Sequence, residues 1–276
     1  MARFSEDALT EAVIARMDKC DNPRLKQIMA ATVRHLHALA REVKLTEAEW
    51  FQAIQFLTAT GQKCDDKRQE FILLSDTLGL SMMVDAINHA RPGSETESTV
   101  LGPFFVEGAP DLEMGANIAP HAKGGAPTLV SGKVSDGSGR PVAGALLDVW
   151  QAGPDGFYDV QKPDAGMDLR ARFRTGTDGK YHFRTVKPVS YPVPTDGPVG
   201  QMLLKLGRHP YRPAHLHFIV SAPGHEPLTT HLFVKGDGYL DSDAVFGVKD
   251  SLIVDFKPGA KPGEFTCEYD FVLKAA

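Results

Sequence analysis

The chain has 276 residues, of which 42% are hydrophobic and 24% charged, and its formal net charge is −5 at pH 7. This size suits one large domain or two smaller ones, and a negative charge without a Lys/Arg cluster argues against nucleic-acid binding. The three cysteines, Cys20, Cys64 and Cys267, are few and widely spaced, which is typical of reduced thiols. No apolar run suits a secretion signal or membrane insertion. We therefore expect a cytoplasmic protein.

The first 90 residues carry the periodicity of helices. Asn22-Pro23 is a typical N-cap followed by proline at the first helical position, and apolar residues then recur three and four positions apart. Thr46 to Glu49 form a capping box that starts a second helix, for which Gly61 is a suitable end. The sequence therefore predicts two amphipathic helices before residue 62.

A third helix is predicted from Lys67 to His89. It is apolar on much of its circumference, which indicates burial on several sides, with a second subunit as one partner.

From Arg91 onwards proline and glycine become frequent and the helical period disappears. Short apolar runs separated by turn residues predict an antiparallel β-sandwich, so the fold class is α+β. The loops at 151–169 and 187–213 are long enough that we expect them to carry function. The predicted strands cover residues 128–134, 145–150, 170–174, 180–186, 215–220, 228–234, 251–256 and 265–273.

Two histidines two residues apart, His215 and His217, lie in one of these strands. Side chains at positions i and i+2 of a strand point to the same face, so both imidazoles can bind one metal ion. Zinc sites usually add a third histidine, a cysteine or a carboxylate, and ferrous oxygenases add a carboxylate. The strand has no acidic residue within several positions upstream.

The long loops offer tyrosines instead. Tyr158 and Tyr191 both follow strands and lie among glycine and proline residues. A phenol with a pKa near 10 binds as phenolate at neutral pH only when a highly charged cation displaces its proton. Ferric iron fits this donor set, because two phenolates and one hydroxide balance its three charges.

Five motifs in this order resemble those of the intradiol ring-cleavage dioxygenases. They are ESTVLGPFFVEGAP, DVWQAGPDGFYD, SYPVPTDGP, GRHPYRPAHLHFIV and LTTHLFV. The helical N-terminal region is similar to that of the catechol and hydroxyquinol branch. His231, which stands where the catechol enzymes have glutamine, and YLDSDAVFGVK resemble the hydroxyquinol 1,2-dioxygenases.

The resemblance implies one non-haem ferric ion per subunit. Its ligands would be Tyr191 and His217 in axial positions and Tyr158 and His215 in equatorial positions. The substrate would be hydroxyquinol (benzene-1,2,4-triol), cleaved by dioxygen to 3-hydroxy-cis,cis-muconate (maleylacetate). Tyr191 would also accept a substrate proton.

The same resemblance implies a substrate pocket. Arg212 would stabilise negative charge on the ring, and His231 would hydrogen-bond an oxygen of the substrate or of a ligand. Asp85 is a candidate acceptor for the third ring hydroxyl. The pocket walls would come from the linker residues Val100, Leu101, Gly102, Pro103 and Phe104.

The implied organisation has three parts: a helical dimerisation region at 1–92, a linker contributing to the pocket at 93–127, and a catalytic β-sandwich at 128–276. Members of this branch form homodimers through the helical region, and such interfaces in relatives can hold lipid.

Three alternatives stay open from the sequence. The first is a catechol or chlorocatechol 1,2-dioxygenase, which gives cis,cis-muconates by the same chemistry. The second is a non-catalytic transthyretin-like sandwich, which would be colourless and free of iron. The third is a zinc or ferrous enzyme that combines the histidine pair with a distant carboxylate.

Overall fold

The structure is a computed structural model that describes residues 5–66, 68–90, 93–162 and 166–276, apart from the Asp7 side chain. It divides into two compact units, Met1–Ala59 and Thr60–Ala276. The first unit is helical. It contains α1 (Glu6–Ala15), α2 (Pro23–Glu42) and most of α3 (Glu47–Gln62).

The predicted helix starts are confirmed by their capping hydrogen bonds. The Asn22 side chain accepts from the Leu25 amide at 3.0 Å, which satisfies one of the free N–H groups at the start of α2. At the start of α3, the Glu49 amide donates to the Thr46 hydroxyl at 3.3 Å and the Thr46 amide donates to the Glu49 carboxylate at 2.9 Å. This reciprocal pair is the capping box that the sequence predicted.

The single third helix predicted from Lys67 to His89 is wrong. Two shorter helices, α4 (Glu70–Thr77) and α5 (Leu80–Asn88), occupy this stretch, and Lys67 lies outside the described residues. Gly79 separates them with a φ of +75°, a conformation that glycine adopts without steric cost. The apolar residues continue across the break, so hydrophobic periodicity alone did not reveal it.

The α+β class is confirmed, and the β region forms two five-stranded sheets and one two-stranded sheet. In the first large sheet β1 pairs with β4, β11 and β12, and β10 pairs with β11. Its strands are β1 (Pro127–Asp136), β4 (Lys180–Val186), β10 (Phe256–Pro258), β11 (Phe265–Glu268) and β12 (Phe271–Leu273).

The second large sheet has the order β3-β2-β7-β8-β9. Its strands are β2 (Leu146–Trp150), β3 (Arg170–Arg174), β7 (His215–Ser221), β8 (Leu228–Val234) and β9 (Ile253–Val254). The small sheet pairs β5 (Tyr191–Pro192) with β6 (Tyr211–Arg212).

The two large sheets are mixed, whereas the sequence predicted an antiparallel sandwich. Strand β1 runs parallel to β11 and β12, and β8 runs parallel to β9. The predicted strand 251–256 is a 3₁₀ turn (Asp250–Leu252) followed by β9 and the start of β10, and the predicted strand 265–273 is split into β11 and β12. Parallel neighbouring strands are joined by long connections, so no turn motif in the sequence predicts their pairing.

The loop predicted at 187–213 contains one further helix, α6 (Pro198–Lys205), besides β5 and β6. Proline at its first position was the available signal. The Val199 amide of α6 donates to the buried Glu70 carboxylate at 3.2 Å, which ties the helix to α4.

The main hydrophobic core lies on one face of β7 and excludes its histidines. Leu216, Phe218 and Val220 are fully buried members of this core. His215 and His217 alternate with them and therefore lie on the opposite face of the strand. Complete burial of each such apolar side chain contributes about 1.5–3 kcal/mol, so the core fixes which face of the sheet carries the imidazoles.

Gly132 generates a prediction about stability, because β1 exchanges its partner β11 for β12 around this residue. A Cβ atom at Gly132 would lie 1.7 Å from the Tyr269 carbonyl oxygen, so the neighbouring backbone must move. We expect Gly132→Ala to lower the free energy of unfolding by roughly 1–3 kcal/mol or more, measured by urea denaturation.

Gly238→Ala is the matched control. Its added Cβ would meet nothing within 4 Å, so this variant should unfold like the wild type within about 0.5 kcal/mol. Equal stability of the two variants would contradict the steric argument.

Candidate metal centre and active site

Four residues from four adjacent strands form a row across the second large sheet. Trp150 of β2 pairs with Arg170 of β3 on one side and with His217 of β7 on the other. His217 in turn pairs with His231 of β8. The indole ring of Trp150 stacks on His217, with ring centroids 4.6 Å apart and an interplanar angle of 14°. Neighbours in a register row share one face of a sheet, so this row forms the floor of the site.

Two buried tyrosines approach this floor from the long loops. Tyr158 is completely buried and lies just before a 3₁₀ turn (Asp159–Gln161), and Tyr191 opens β5 with 3% exposure. The phenol oxygen of Tyr158 lies 3.0 Å from that of Tyr191 and 2.8 Å from Nε2 of His217. Nε2 of His217 lies 3.0 Å from Nε2 of His215. The structure therefore brings all four predicted metal ligands together.

Tyr191 and His215 are linked through their neighbours in the chain. The Ser190 hydroxyl donates to the Asp237 carboxylate at 2.5 Å, and the Ala214 amide donates to the same oxygen at 3.1 Å. One carboxylate thus holds the start of β5 beside the start of β7.

Nδ1 of His215 is bound to the backbone, so Nε2 is the ring nitrogen that can bind a metal. Its Nδ1–H donates to the Pro213 carbonyl oxygen at 2.7 Å, so Nε2 of the neutral ring presents a lone pair. Burial lowers the pKa of His215 to about 3 and the pKa of His217 well below its ordinary value, which keeps both rings neutral. Two Nε2 atoms and two phenol oxygens thus surround one point, and this donor set fits a metal ion.

The two phenols need a cation to ionise. Burial raises the pKa of Tyr158 well above 10, and burial likewise raises the pKa of Tyr191 although the nearby Arg212 opposes this shift. Both side chains therefore stay protonated at neutral pH in the metal-free protein. A highly charged metal ion can displace both protons.

His231 provides a third imidazole that the sequence analysis did not group with the other two. One ring nitrogen from each of His215, His217 and His231 lies within 4.8 Å of the others. His231 is fully buried, its Nε2 has no hydrogen-bond partner, and its pKa is lowered well below the ordinary value by burial. The predicted strands 215–220 and 228–234 could have revealed this, because pairing Val220 with Leu228 places residue 231 opposite residue 217.

Arg212 brings a permanent positive charge to the centre. Nε and NH2 of Arg212 donate to the two oxygens of Asp243 at 3.1 and 3.2 Å, and both side chains are buried. NH1 of Arg212 donates to Nε2 of His215 at 3.3 Å, and NH2 lies 3.5 Å from Nδ1 of His231. Burial disfavours the charged form of Arg212, but Asp243 outweighs that effect and raises its pKa.

The predicted pocket residues of the linker line two different cavities. Val100, Leu101 and Gly102 line a cavity with a volume of about 420 Å³. A Cβ atom added to Gly102 would lie 3.3 Å from the His217 ring. Pro103 and Phe104 line a second cavity of about 160 Å³. The Phe104 ring stacks on Tyr158 with centroids 4.5 Å apart. The linker therefore borders both the cavities and the site, with Gly102 beside His217 and Phe104 against Tyr158.

Two carboxylates line the larger cavity, and they differ in their partners. The oxygens of Asp85 already pair with His89 at 2.9 Å and Lys249 at 3.1 Å. Asp76 is 3% exposed, and burial raises its pKa although it accepts a hydrogen bond from Ser81 and feels the charge of Arg212. The sequence analysis proposed Asp85 and did not consider Asp76, although both residues line this cavity.

The chain is similar to known proteins over nearly its whole length. A family model described as "Catechol dioxygenase N terminus" matches residues 22–96, and one described as "Dioxygenase" matches residues 100–275. The chain is 56% identical over 276 residues to a 6-chlorohydroxyquinol 1,2-dioxygenase of Cupriavidus pinatubonensis, with 99% of each chain covered. It is 57% identical to a hydroxyquinol 1,2-dioxygenase of Rhizobium sp., covering 92% of this chain and 86% of that one.

Solved structures agree with these matches. A hydroxyquinol 1,2-dioxygenase from Pseudomonas putida DLL-E4 has a TM-score of 0.92 and 52% identity, with 98% of this chain and 99% of that chain covered. A catechol 1,2-dioxygenase from Pseudomonas arvilla C-1 has a TM-score of 0.84 and 30% identity, with 98% and 91% covered. The chain belongs to the intradiol ring-cleavage dioxygenases, within the branch that contains the hydroxyquinol 1,2-dioxygenases, and it is an enzyme.

None of the helices formed by the described residues has the length and hydrophobicity needed to span a membrane.

The Arg212–Asp243 pair generates a prediction about stability. Removing one partner of a buried ion pair leaves the other charge uncompensated. We expect Asp243→Asn to lower the free energy of unfolding of the metal-free protein by about 3–5 kcal/mol in urea at pH 7. The control is Asp255→Asn, which breaks the exposed pair between Asp255 and Lys235 and should cost at most about 1 kcal/mol.

The pH dependence of this loss has a definite sign. Burial raises the pKa of Asp243, but the charge of Arg212 outweighs that effect, so its pKa in the folded protein lies below the ordinary value. The contribution of the carboxylate is therefore complete above about pH 4 and is lost as the pH falls through the folded-state pKa. The stability difference between wild type and Asp243→Asn should narrow below about pH 4, and a constant difference would contradict the assignment.

Proposed function

We propose that this enzyme cleaves hydroxyquinol between its two adjacent hydroxyl-bearing carbons with dioxygen, using one non-haem ferric ion per subunit. The product is 3-hydroxy-cis,cis-muconate, which is maleylacetate. The observation that carries the proposal is the convergence of two phenols and two neutral imidazoles beside a buried arginine and a cavity. The activities named for the relatives that are 52–57% identical support the choice of substrate.

Tyr158, Tyr191, His215 and His217 are the proposed ligands of the metal. Two phenolates supply negative charge, whereas a set of His215, His217 and His231 would leave the full charge of the metal beside the cationic Arg212 in a buried site. Electrostatics therefore favours the set with the phenols over the three-histidine set. When bound, the ferric ion would act as a Lewis acid that draws electron density from the diol and makes the aromatic ring susceptible to attack by dioxygen.

The remaining polar groups of the site have distinct roles toward the substrate. Arg212 is held rigidly by Asp243, so its guanidinium is preorganised to stabilise negative charge on the ring. Tyr191 lies in the same small sheet as Arg212 and is the proposed acceptor of a proton from a substrate hydroxyl. The unpartnered Nε2 of His231 is available to a substrate oxygen.

We propose Asp76 as the group that recognises the third hydroxyl of hydroxyquinol. It is buried beside the cavity lined by Val100, Leu101 and Gly102, and it lies close enough to Arg212 to feel that charge. Asp85 lines the same cavity but is paired with Lys249 and His89. A carboxylate with spare acceptor capacity is the better partner for an additional hydroxyl donor.

We further propose a homodimer, with the helical region 1–92 as its interface, the linker 93–127 as part of the pocket and 128–276 as the catalytic sandwich. The support is the set of large apolar side chains left exposed on α5, which a single chain rarely displays without a partner. Lipid at that interface and a cytoplasmic location stay predictions. The exposed set is Leu80, Met83, Val84 and Ile87.

The ligand assignment predicts the effects of two substitutions on bound iron. We expect the wild-type protein to contain iron and to be red, because tyrosinate-to-iron charge transfer absorbs visible light. Tyr158→Phe should lose most of the iron and colour, while His231→Gln should keep both. Iron analysis and a visible spectrum check this. Loss of iron from His231→Gln together with its retention in Tyr158→Phe would support the three-histidine set instead.

Arg212→Ala is expected to separate binding of the metal from catalysis. It should keep the iron and colour but lower kcat by about 10²–10³-fold, because a preorganised charge stabiliser is removed. A colourless variant would instead place Arg212 in metal binding.

The substrate proposal is tested by comparing turnover of hydroxyquinol, catechol and 4-chlorocatechol. The wild type should prefer the triol in kcat/KM. Asp76→Asn should reduce the preference over catechol by roughly 10–100-fold, because a hydrogen bond to a charged group contributes about 1.5–3 kcal/mol.

Asp85→Asn is the matched control in the same cavity. It should leave the ratio of kcat/KM values unchanged, and the reverse result would favour Asp85 as the acceptor. A wild type that prefers catechol or 4-chlorocatechol would replace the hydroxyquinol assignment with a catechol or chlorocatechol 1,2-dioxygenase.

A further inference from the structure

A second buried ion pair, besides that of Arg212, borders the metal centre. Arg170 lies at the end of the register row that contains Trp150, His217 and His231. Its side chain is 2% exposed and that of its partner Asp159 is 3% exposed. The reaction proposed above assigns this pair no role. A buried pair of this kind requires a reason, because removing two charges from water is costly.

Asp159 directly follows Tyr158, and its carboxylate accepts four hydrogen bonds. Nε of Arg170 donates to it at 2.6 Å, and NH2 of Arg170 donates to its other oxygen. The amides of Val160 and Asp168 donate to it at 2.8 and 3.2 Å. The carboxylate thus joins the segment after Tyr158 to β3 and to a more distant part of the same loop.

Arg170 also contacts the residue whose ring covers Tyr158. Its NH2 donates to the Phe104 carbonyl oxygen at 3.3 Å. The Phe104 ring stacks on Tyr158 with an interplanar angle of 23°. One guanidinium therefore fixes both the backbone that carries Tyr158 and the aromatic ring that covers it.

Tyr158 needs such support because it comes from a long loop. Its hydroxyl contacts Tyr191 and His217, which are themselves proposed ligands. A ligand must be held within about 0.5 Å of its productive position by groups outside the site. The bidentate fork of arginine fixes orientation as well as distance, which a lysine cannot do.

We propose that the Arg170–Asp159 pair is the positioning element for Tyr158, holding the phenol oxygen at the metal between a fixed loop and the Phe104 ring. The inference rests on the proposed metal site. Arg170 and Asp159 touch neither the substrate nor the reacting atoms and are positioning residues.

The test compares Arg170→Met with Arg172→Met. Arg172 lies two residues further along β3 and donates to the largely exposed Asp111 at 2.6 Å, so it matches Arg170 in chemistry and strand but not in contact with the site. The readouts are the rate of iron loss to a chelator and the position and intensity of the visible band. Arg170→Met should lose iron at least ten-fold faster and show a shifted or weakened band, whereas Arg172→Met should match the wild type.

Amide hydrogen exchange of the metal-free protein supplies a readout that does not depend on iron. The Val160 and Asp168 amides should exchange at least ten-fold faster in Arg170→Met, because the acceptor that protects them loses its anchor. If Arg170→Met does not fold, iron loss and amide exchange are measured in Arg170→Lys and Asp159→Asn, with the same ten-fold increases expected. A folded Arg170 variant with wild-type exchange, iron loss and spectrum overturns the inference.

The outcomes separate this inference from the proposed function. A colourless, iron-free wild type refutes the proposed function and this inference with it. A red wild type whose properties are unchanged by the Arg170 and Asp159 variants refutes only the positioning role.

Discussion

The register of the β7–β8 hairpin is the constraint on which the site depends. It places His217 opposite His231, and the next pairing across the sheet places Trp150 beside His217. The apolar residues that alternate with the histidines are locked into the sandwich core. Because a shift by one residue would exchange the two faces, the same packing that stabilises the core also holds the imidazoles toward the tyrosines. The arrangement of the metal centre is therefore set by the hydrophobic core.

The protonation states and charges of the site are determined by the burial and the ion pairs around the register row of Trp150, His217 and His231. Burial keeps the imidazoles neutral and the phenols protonated until a cation binds. Two arginine guanidinium groups nevertheless lie close by, each paired with a buried aspartate. Such pairs are costly to bury, but they give a fixed orientation to each guanidinium. One of them faces the proposed substrate position, and the other supports the loop of Tyr158.

Local signals in the sequence predicted the local structure well. The caps at Asn22 and Thr46 are confirmed, because hydrogen bonds between near neighbours are encoded over a few residues. The same reasoning failed at Gly79, where apolar periodicity continues across a backbone break. It also missed the parallel pairing of β1 with β11 and β12, since those partners are far apart in the chain.

The sequence by itself determined the family, the fold class and the residue types of the site, because five motifs and the HxH spacing are contiguous in the chain. Only the tertiary structure decided which side chains meet. His231 joins the other imidazoles through strand register. Beside the cavity, Asp85 is paired with Lys249, whereas Asp76 feels the charge of Arg212. Arg170 reaches Asp159 and Phe104 across a loop and a linker. Contacts of this kind depend on distances between segments far apart in sequence, and no local pattern encodes them.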